Sequence, residues 1–114
     1  MITFTLEGPP VGKERARRGR SGHWYTPAKT VAFEARVRAA FHQAQQASGQ
    51  TCLGCSLKLR VFVKGRRHPD LDNIWKGVAD GLQGIAYRND NGLLYAEVTM
   101  ILQATRPRIE VEVQ

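Results

Sequence analysis

Apolar residues along this 114-residue chain recur at two periods, and the order in which those periods alternate leaves few folds open. Residues 2–6, Ile-Thr-Phe-Thr-Leu, alternate apolar and polar as a half-buried strand does, and Gly8-Pro9-Pro10 ends the run. Phe33, Val37, Ala40, Phe41 and Ala44 then recur at helical spacing, which predicts a helix over 27–47 with Thr26 as N-cap and Pro27 in the first helical position, stopped near Gly49. Leu57, Leu59, Val61 and Val63 return to alternation and predict a strand over 56–64. Leu71, Ile74, Trp75, Val78 and Leu82 are again three and four apart, a helix over 71–83 ended by Gly84. Asn89-Asp90-Asn91-Gly92 is a turn signal, and 93–103 and 108–113 read as strands joined around Thr105-Arg106-Pro107. The order β-α-β-α-β-β implies an α/β protein of the α+β kind: a single domain over 1–114, with one mixed sheet, two helices packed on it, and a closing antiparallel pair.

Charge narrows the function. Lysines and arginines number 17 against 10 aspartates and glutamates, a formal net charge of +7. A surplus of that size points to an acidic partner, nucleic acid before an anionic membrane surface. No apolar stretch approaches the roughly 18–20 residues that span a bilayer, and the amino-terminal residues read as a strand rather than a leader, so no membrane association and a cytoplasmic location are expected. Cys52 and Cys55 form a C-x-x-C, but neither a second Cys pair nor a spaced His pair accompanies them, and the residues after Cys55 alternate like a strand; loop thiols are expected. His23, His42 and His68 are scattered and read as surface or loop histidines.

Lys13, Arg15, Arg17, Arg18 and Arg20 crowd one stretch that contains only Glu14 in opposition and leads to Trp24 and Tyr25. Guanidinium forks fit phosphate oxygens, and aromatics can stack on unpaired bases. A run of one sign repels itself unless a polyanion meets it, which favours phosphate contact over a merely solvated loop. Gly8-Pro9-Pro10-Val11-Gly12-Lys13 is no phosphate-binding P-loop: three residues rather than four separate its glycines, Glu14 stands where Ser or Thr would bind Mg²⁺, and proline removes a backbone donor.

Asp70-Leu71-Asp72-Asn73 sets two carboxylates and an amide within four residues of this basic chain. Crowded carboxylates repel unless a cation lies between them, and a divalent metal is the usual one. At about 100° per residue, Asp70 and Asp72 could not share a metal from within one helix. Pro69 keeps the preceding chain extended, so Asp70 belongs to the incoming segment and Asp72 to the first helical turn, one turn ahead of Lys76. The bland alternative is a helix cap. A nuclease of the PD-(D/E)xK type is disfavoured because neither Glu-x-Lys nor Asp-x-Lys occurs, and the chain is too short for a sugar-nucleotide fold.

Two blocks, Asp70-Leu71-Asp72-Asn73-x-x-Lys76-x-x-x-Asp80-Gly81-Leu82 with the Asn89-Asp90 turn, and Gly8-x-Pro10-x-x-Lys13 with the arginine loop and Tyr25-Thr26-Pro27, cover most of the chain. Together they resemble the RusA family of Holliday junction resolvases. The resemblance implies a homodimeric endonuclease, of a kind often encoded by prophages, that cuts branched DNA such as a four-way junction with Mg²⁺, for which Mn²⁺ could substitute. It implies Asp70, Asp72 and Asp90 as the metal-binding carboxylates and Lys76 as the catalytic lysine, with Asn73 supporting the metal's ligands and Lys13, Arg15, Arg17, Arg18 and Arg20 on the DNA backbone. The family commonly has two adjacent acids at the turn, where this chain has Asn89-Asp90-Asn91. Two other readings stay open: a non-catalytic protein that binds branched DNA, and a flap or single-strand nuclease.

Overall fold

The computed structural model describes residues 1–14, 16–50, 54, 56–88 and 93–114. Arg15, Cys52, Cys55 and the turn at 89–92 lie outside the described residues, and with them the expectations placed on Asp90 and on the loop thiols. The elements are β1 (Ile2–Glu7), β2 (Arg17–Arg18), β3 (Trp24–Tyr25), α1 (Ala28–Ser48), β4 (Ser56–Phe62), α2 (Leu71–Leu82), β5 (Tyr95–Ile101) and β6 (Arg108–Val113).

The main sheet runs β1-β6-β4-β5, with β6 antiparallel to both its neighbours and β4 parallel to β5. It is the mixed sheet that the periodicity implied, with one difference. β5 and β6 do not form an antiparallel pair, because β6 crosses over and enters between β1 and β4. The register explains the gain. Rows Ile2–Val113–Leu57, Phe4–Val111–Leu59 and Leu6–Ile109–Val61 bring the apolar side of β6 between two other apolar strands. Beside β5 alone, whose Val98 and Met100 are only partly buried, it would cover far less apolar area.

The opposite face of the sheet carries charge in alternating signs. Thr3, Glu112, Lys58 and Glu97 share one row, and Thr5, Glu110, Arg60 and Thr99 the next. Arg108 donates to Glu110 at 3.0 Å and lays its guanidinium 3.6 Å from the Phe62 ring centroid.

α1 fastens its buried stripe of Thr30, Phe33, Val37 and Phe41 to β1 and α2, with Phe41 meeting Phe4 edge-on at 6.3 Å between ring centroids. Its start differs by one residue from the sequence expectation. Pro27, not Thr26, occupies the capping position, extended at φ −55° and ψ 142°, and its carbonyl accepts from the Thr30 and Val31 amides. A proline cannot supply a side-chain cap, so the carbonyl alone does the joining. Gly49 closes the helix in the left-handed region.

α2 presses against α1 through two glycines. A Cβ on Gly81 would stand 3.0 Å from Val37 Cβ, and one on Gly77 would stand 3.2 Å from the Phe33 ring. Alanine would improve helix propensity by up to about 1 kcal/mol. Overpacking against a stiff β-branched side chain costs about 1–3 kcal/mol, and here it forces two helices apart. Gly81→Ala is therefore expected to lower stability by roughly 1–2 kcal/mol in denaturant unfolding. Combined with Val37→Ala, the loss should be smaller than the sum of the single losses. A stabilised Gly81→Ala, or strict additivity, would contradict this helix contact.

Candidate metal and nucleic-acid site

The segment after β1 is clamped to both helices before any functional side chain is considered. The Gly8 amide donates to the Pro107 carbonyl, the Lys13 amide to the Asn73 carbonyl at 3.1 Å, and the Glu14 amide to the buried Thr30 hydroxyl at 3.2 Å. Gly12 lies so close to Pro69 that a Cβ there would come within 2.7 Å of the proline Cβ. That approach sets the extended segment entering α2 against the loop leaving β1.

Asp70 is the residue before α2, extended at φ −61° and ψ 147°, and its carbonyl accepts from the Ile74 amide. It occupies the capping position of α2, although its side chain makes no capping hydrogen bond. Asp72 lies in the first turn, where the helix dipole favours an anion. Asp72, Asn73, Lys76, Lys13, Glu14 and Trp75 line one cavity of about 340 Å³. Asp70 is not among its lining residues but stands one step outside the helix that supplies four of them. The side chains of Asp70, Asp72 and Lys76 make no hydrogen bond or ion pair with a described residue. Among the described residues no group of three or more His, Cys, Asp or Glu gathers to hold a metal. The two free carboxylates supply hard oxygen donors, which suit Mg²⁺, an ion that commonly takes one or two carboxylates and keeps the rest of its shell for water and phosphate.

Lys13 lies in the cavity wall but its charge is engaged. The ammonium bonds Asp80, and reaches Glu34 at 3.3 Å. Burial pulls its pKa down, but the hydrogen bond and charge of Asp80, joined by Glu34, outweigh this and leave it above the ordinary 10.5. Lys13 thus ties the loop to α1 and α2 and has little left to offer a phosphate. The sequence reading missed both acidic partners. A signal existed for Asp80, a carboxylate set among the buried Val78, Ala79, Gly81 and Leu82 and so in need of a cation.

Arg17, Arg18 and Arg20 are exposed and stand apart from the cavity lining, on a feature the sequence reading took for a plain loop. β2 and β3 form a separate two-stranded ribbon, pairing Arg17 with Tyr25 and Arg18 with Trp24. A two-residue strand has no room for apolar periodicity, so no pattern announced it. A second basic stretch also escaped notice: Lys64, Arg66 and Arg67 are exposed, partnerless among the described residues, and lead directly into Pro69 and Asp70.

A small α+β fold whose basic segments lead along the chain to two carboxylates and a lysine that have no side-chain partner among the described residues belongs with proteins that act on nucleic-acid backbones. Comparison with known families bears this out, matching residues 7–114 to Endodeoxyribonuclease RusA. The chain belongs to the RusA family, whose activity is cleavage of DNA at Holliday junctions. No curated protein matches it. No helix among the described residues is long and apolar enough to cross a membrane.

Lys13→Met leaves Asp80 and Glu34, with side chains 21% and 16% exposed, without the ammonium that joins them, and leaves Glu34 with Arg38 at 3.8 Å. The expected loss is about 1–3 kcal/mol at neutral pH, read from thermal or denaturant melting. The pKa of Lys13 is raised on folding, so its contribution is complete below the ordinary lysine value of 10.5 and fades as pH climbs through the higher folded value. The gap between parent and variant should accordingly narrow only in strong alkali. Equal stability at neutral pH would refute this joint.

Proposed function

We propose that the chain is a Mg²⁺-dependent endonuclease that resolves four-way DNA junctions, acting in the cytoplasm as a homodimer whose two-fold axis matches paired incisions to the symmetry of the substrate. The observation that carries the reading is the pair of carboxylates, Asp70 and Asp72, at the start of α2, without a side-chain partner among the described residues and with Lys76 one turn on, in a chain of this family. Asp70 and Asp72 would hold Mg²⁺, or Mn²⁺ in its place, with Asp90 as the third ligand. The bound ion supplies a lowered pKa for the attacking water and neutralises charge on the scissile phosphate.

The remaining work falls to the chain itself. Lys76, exposed and unpaired, sets an ammonium where charge develops on the phosphate. Asn73 offers its side-chain amide beside the carboxylates, while its carbonyl holds the Lys13 amide and so ties the site to the loop from β1. The positive end of α2 faces the same place. Arg15, Arg17, Arg18 and Arg20 grip the DNA backbone. Asn89 and Asn91 leave Asp90 as a lone acid at its turn, which favours as a second reading a protein that binds junctions without cutting them.

Incubating the purified chain with Mg²⁺ and a synthetic four-way junction tests both readings. Nicks placed symmetrically across the junction are expected from the parent. Asp70→Asn and Asp72→Asn should each cut at least about a hundred-fold more slowly, since each factor of ten is only about 1.4 kcal/mol of transition-state stabilisation. Junction affinity should be kept in both variants. An uncut junction, with Asp72→Asn indistinguishable from the parent, would sink the nuclease reading and leave the binding one. Equal loss of cutting and binding would mean that these acids hold the fold.

A further inference from the structure

We propose that the β2–β3 ribbon reads the branch point, with Trp24 stacking on a base whose own stacking is interrupted there and the ribbon's arginines gripping the flanking phosphates. The inference rests on the nucleic-acid reading above and names the part of the substrate that this element meets.

Trp24 is 71% exposed, more than any other aromatic among the described residues, and Tyr25 is 50% exposed, as is Tyr95 on β5, whereas Phe33, Phe41 and Tyr87 are each 4% exposed or less. The ribbon pairs with no other strand, so it has no core of its own to bury these aromatics. An indole left in water is an unfavourable placement unless a ligand covers it.

The register says what that ligand is. Residues directly opposite in an antiparallel pair share a face, and successive residues alternate. Arg18 and Trp24 therefore lie on one face of the ribbon, and Arg17 and Tyr25 on the other. Each face presents one guanidinium and one aromatic ring. Stacking surface paired with positive charge is the chemistry that binds unpaired bases and their phosphates without regard to sequence. Fully stacked duplex offers no open base face, whereas the bases that border an open branch point do, since their stacking is interrupted there.

The two faces are not equivalent. Tyr25 lies over Gly19, where an added Cβ would sit 3.7 Å from its ring, and Arg17 is held by Glu14 at 3.3 Å. Arg18 has no hydrogen-bond or ion-pair partner among the described residues, and its guanidinium runs past Gly22. The Arg18–Trp24 face is the one free to take a ligand. Its location also fits. Glu14 both lines the cavity beside Asp72 and holds Arg17, so the ribbon rises from the wall of the candidate cleavage site. The tip is a tight turn, with the Gly19 amide on the His23 carbonyl, the Gly22 amide on the Gly19 carbonyl, and Gly22 at φ 82°.

The test uses the full chain in EDTA, with a four-way junction carrying 2-aminopurine at the branch and a duplex of the same sequence. The parent should change the 2-aminopurine fluorescence and bind the junction more tightly than the duplex. Trp24→Ala should weaken junction binding about 5- to 150-fold, leave duplex affinity and the melting temperature unchanged, and abolish the fluorescence change. Trp24→Phe should recover most of both. Arg18→Gln should weaken junction and duplex alike and reduce the salt slope by about one. Failure of the parent to bind the junction, an unaffected Trp24→Ala, or equal losses on junction and duplex would each overturn the inference. If the parent cuts junctions in Mg²⁺ while Trp24→Ala binds them normally, only this inference falls. If the parent shows the stacking signal in EDTA yet never cuts, only the nuclease reading falls.

Discussion

A single ammonium group between two helices sets the geometry on which the rest of the site depends. Lys13 belongs to the loop that leaves β1, Glu34 to α1 and Asp80 to α2, so the contact joins three elements that no strand pairing connects. The amide of the same lysine bonds the Asn73 carbonyl, in the first turn of the helix that presents Asp72. One residue thus ties the cavity wall to both helices. A lysine so employed is removed from the pool available to a phosphate, which leaves Lys76 as the unengaged ammonium in that cavity.

The parts of this structure legible from the sequence are those in which one period persists over several residues. Leu57, Leu59, Val61 and Val63 alternate and are all buried; Leu71, Ile74, Trp75, Val78 and Leu82 mark the face that α2 turns inward. The extended Asp70 and the helical Asp72 match the expectation that the chain enters α2 extended behind Pro69, although the proline fixes its own φ and restricts His68 rather than Asp70. Pairing was not legible. Nothing local in 108–113 says that β6 enters between β1 and β4, since the same alternation would serve at an edge. The Lys13–Asp80 contact spans 67 residues and depends on how α2 docks, so composition could suggest only that Asp80 lacked a cation.

Charge is distributed with a purpose that the net value of +7 conceals. On the open face of the sheet, Glu7, Glu97, Glu110 and Glu112 stand among Lys58, Arg60 and Arg108 in registered rows, close to neutrality. Pairs such as Arg60–Glu110 at 3.8 Å add little stability, but they keep that face from attracting a polyanion. Apart from a share on α1, where Lys29, Arg36 and Arg38 are opposed in sign by Glu34 alone, much of the surplus lies on the ribbon and on Lys64, Arg66 and Arg67. Both basic segments run along the chain into the candidate site, one ending at the cavity through Glu14 and the other at Asp70.

That arrangement resolves an apparent conflict between binding and catalysis. Asp70 and Asp72 repel a phosphate when bare, so a chain carrying only those acids would keep its own substrate away. Arginines placed within a Debye length, about 8–10 Å at physiological salt, can draw the backbone in against that repulsion. Arginines packed directly against the carboxylates would instead neutralise them and compete with a metal. The structure separates the two requirements: among the described residues the side chains of Asp70 and Asp72 have no partner, and the guanidinium of Arg18, likewise without one, is mounted on a ribbon that lines no part of the cavity. On the proposed function, attraction would be supplied at a distance and the carboxylates left to a metal, a division of labour that needs the ribbon to be held out from the core rather than folded into it.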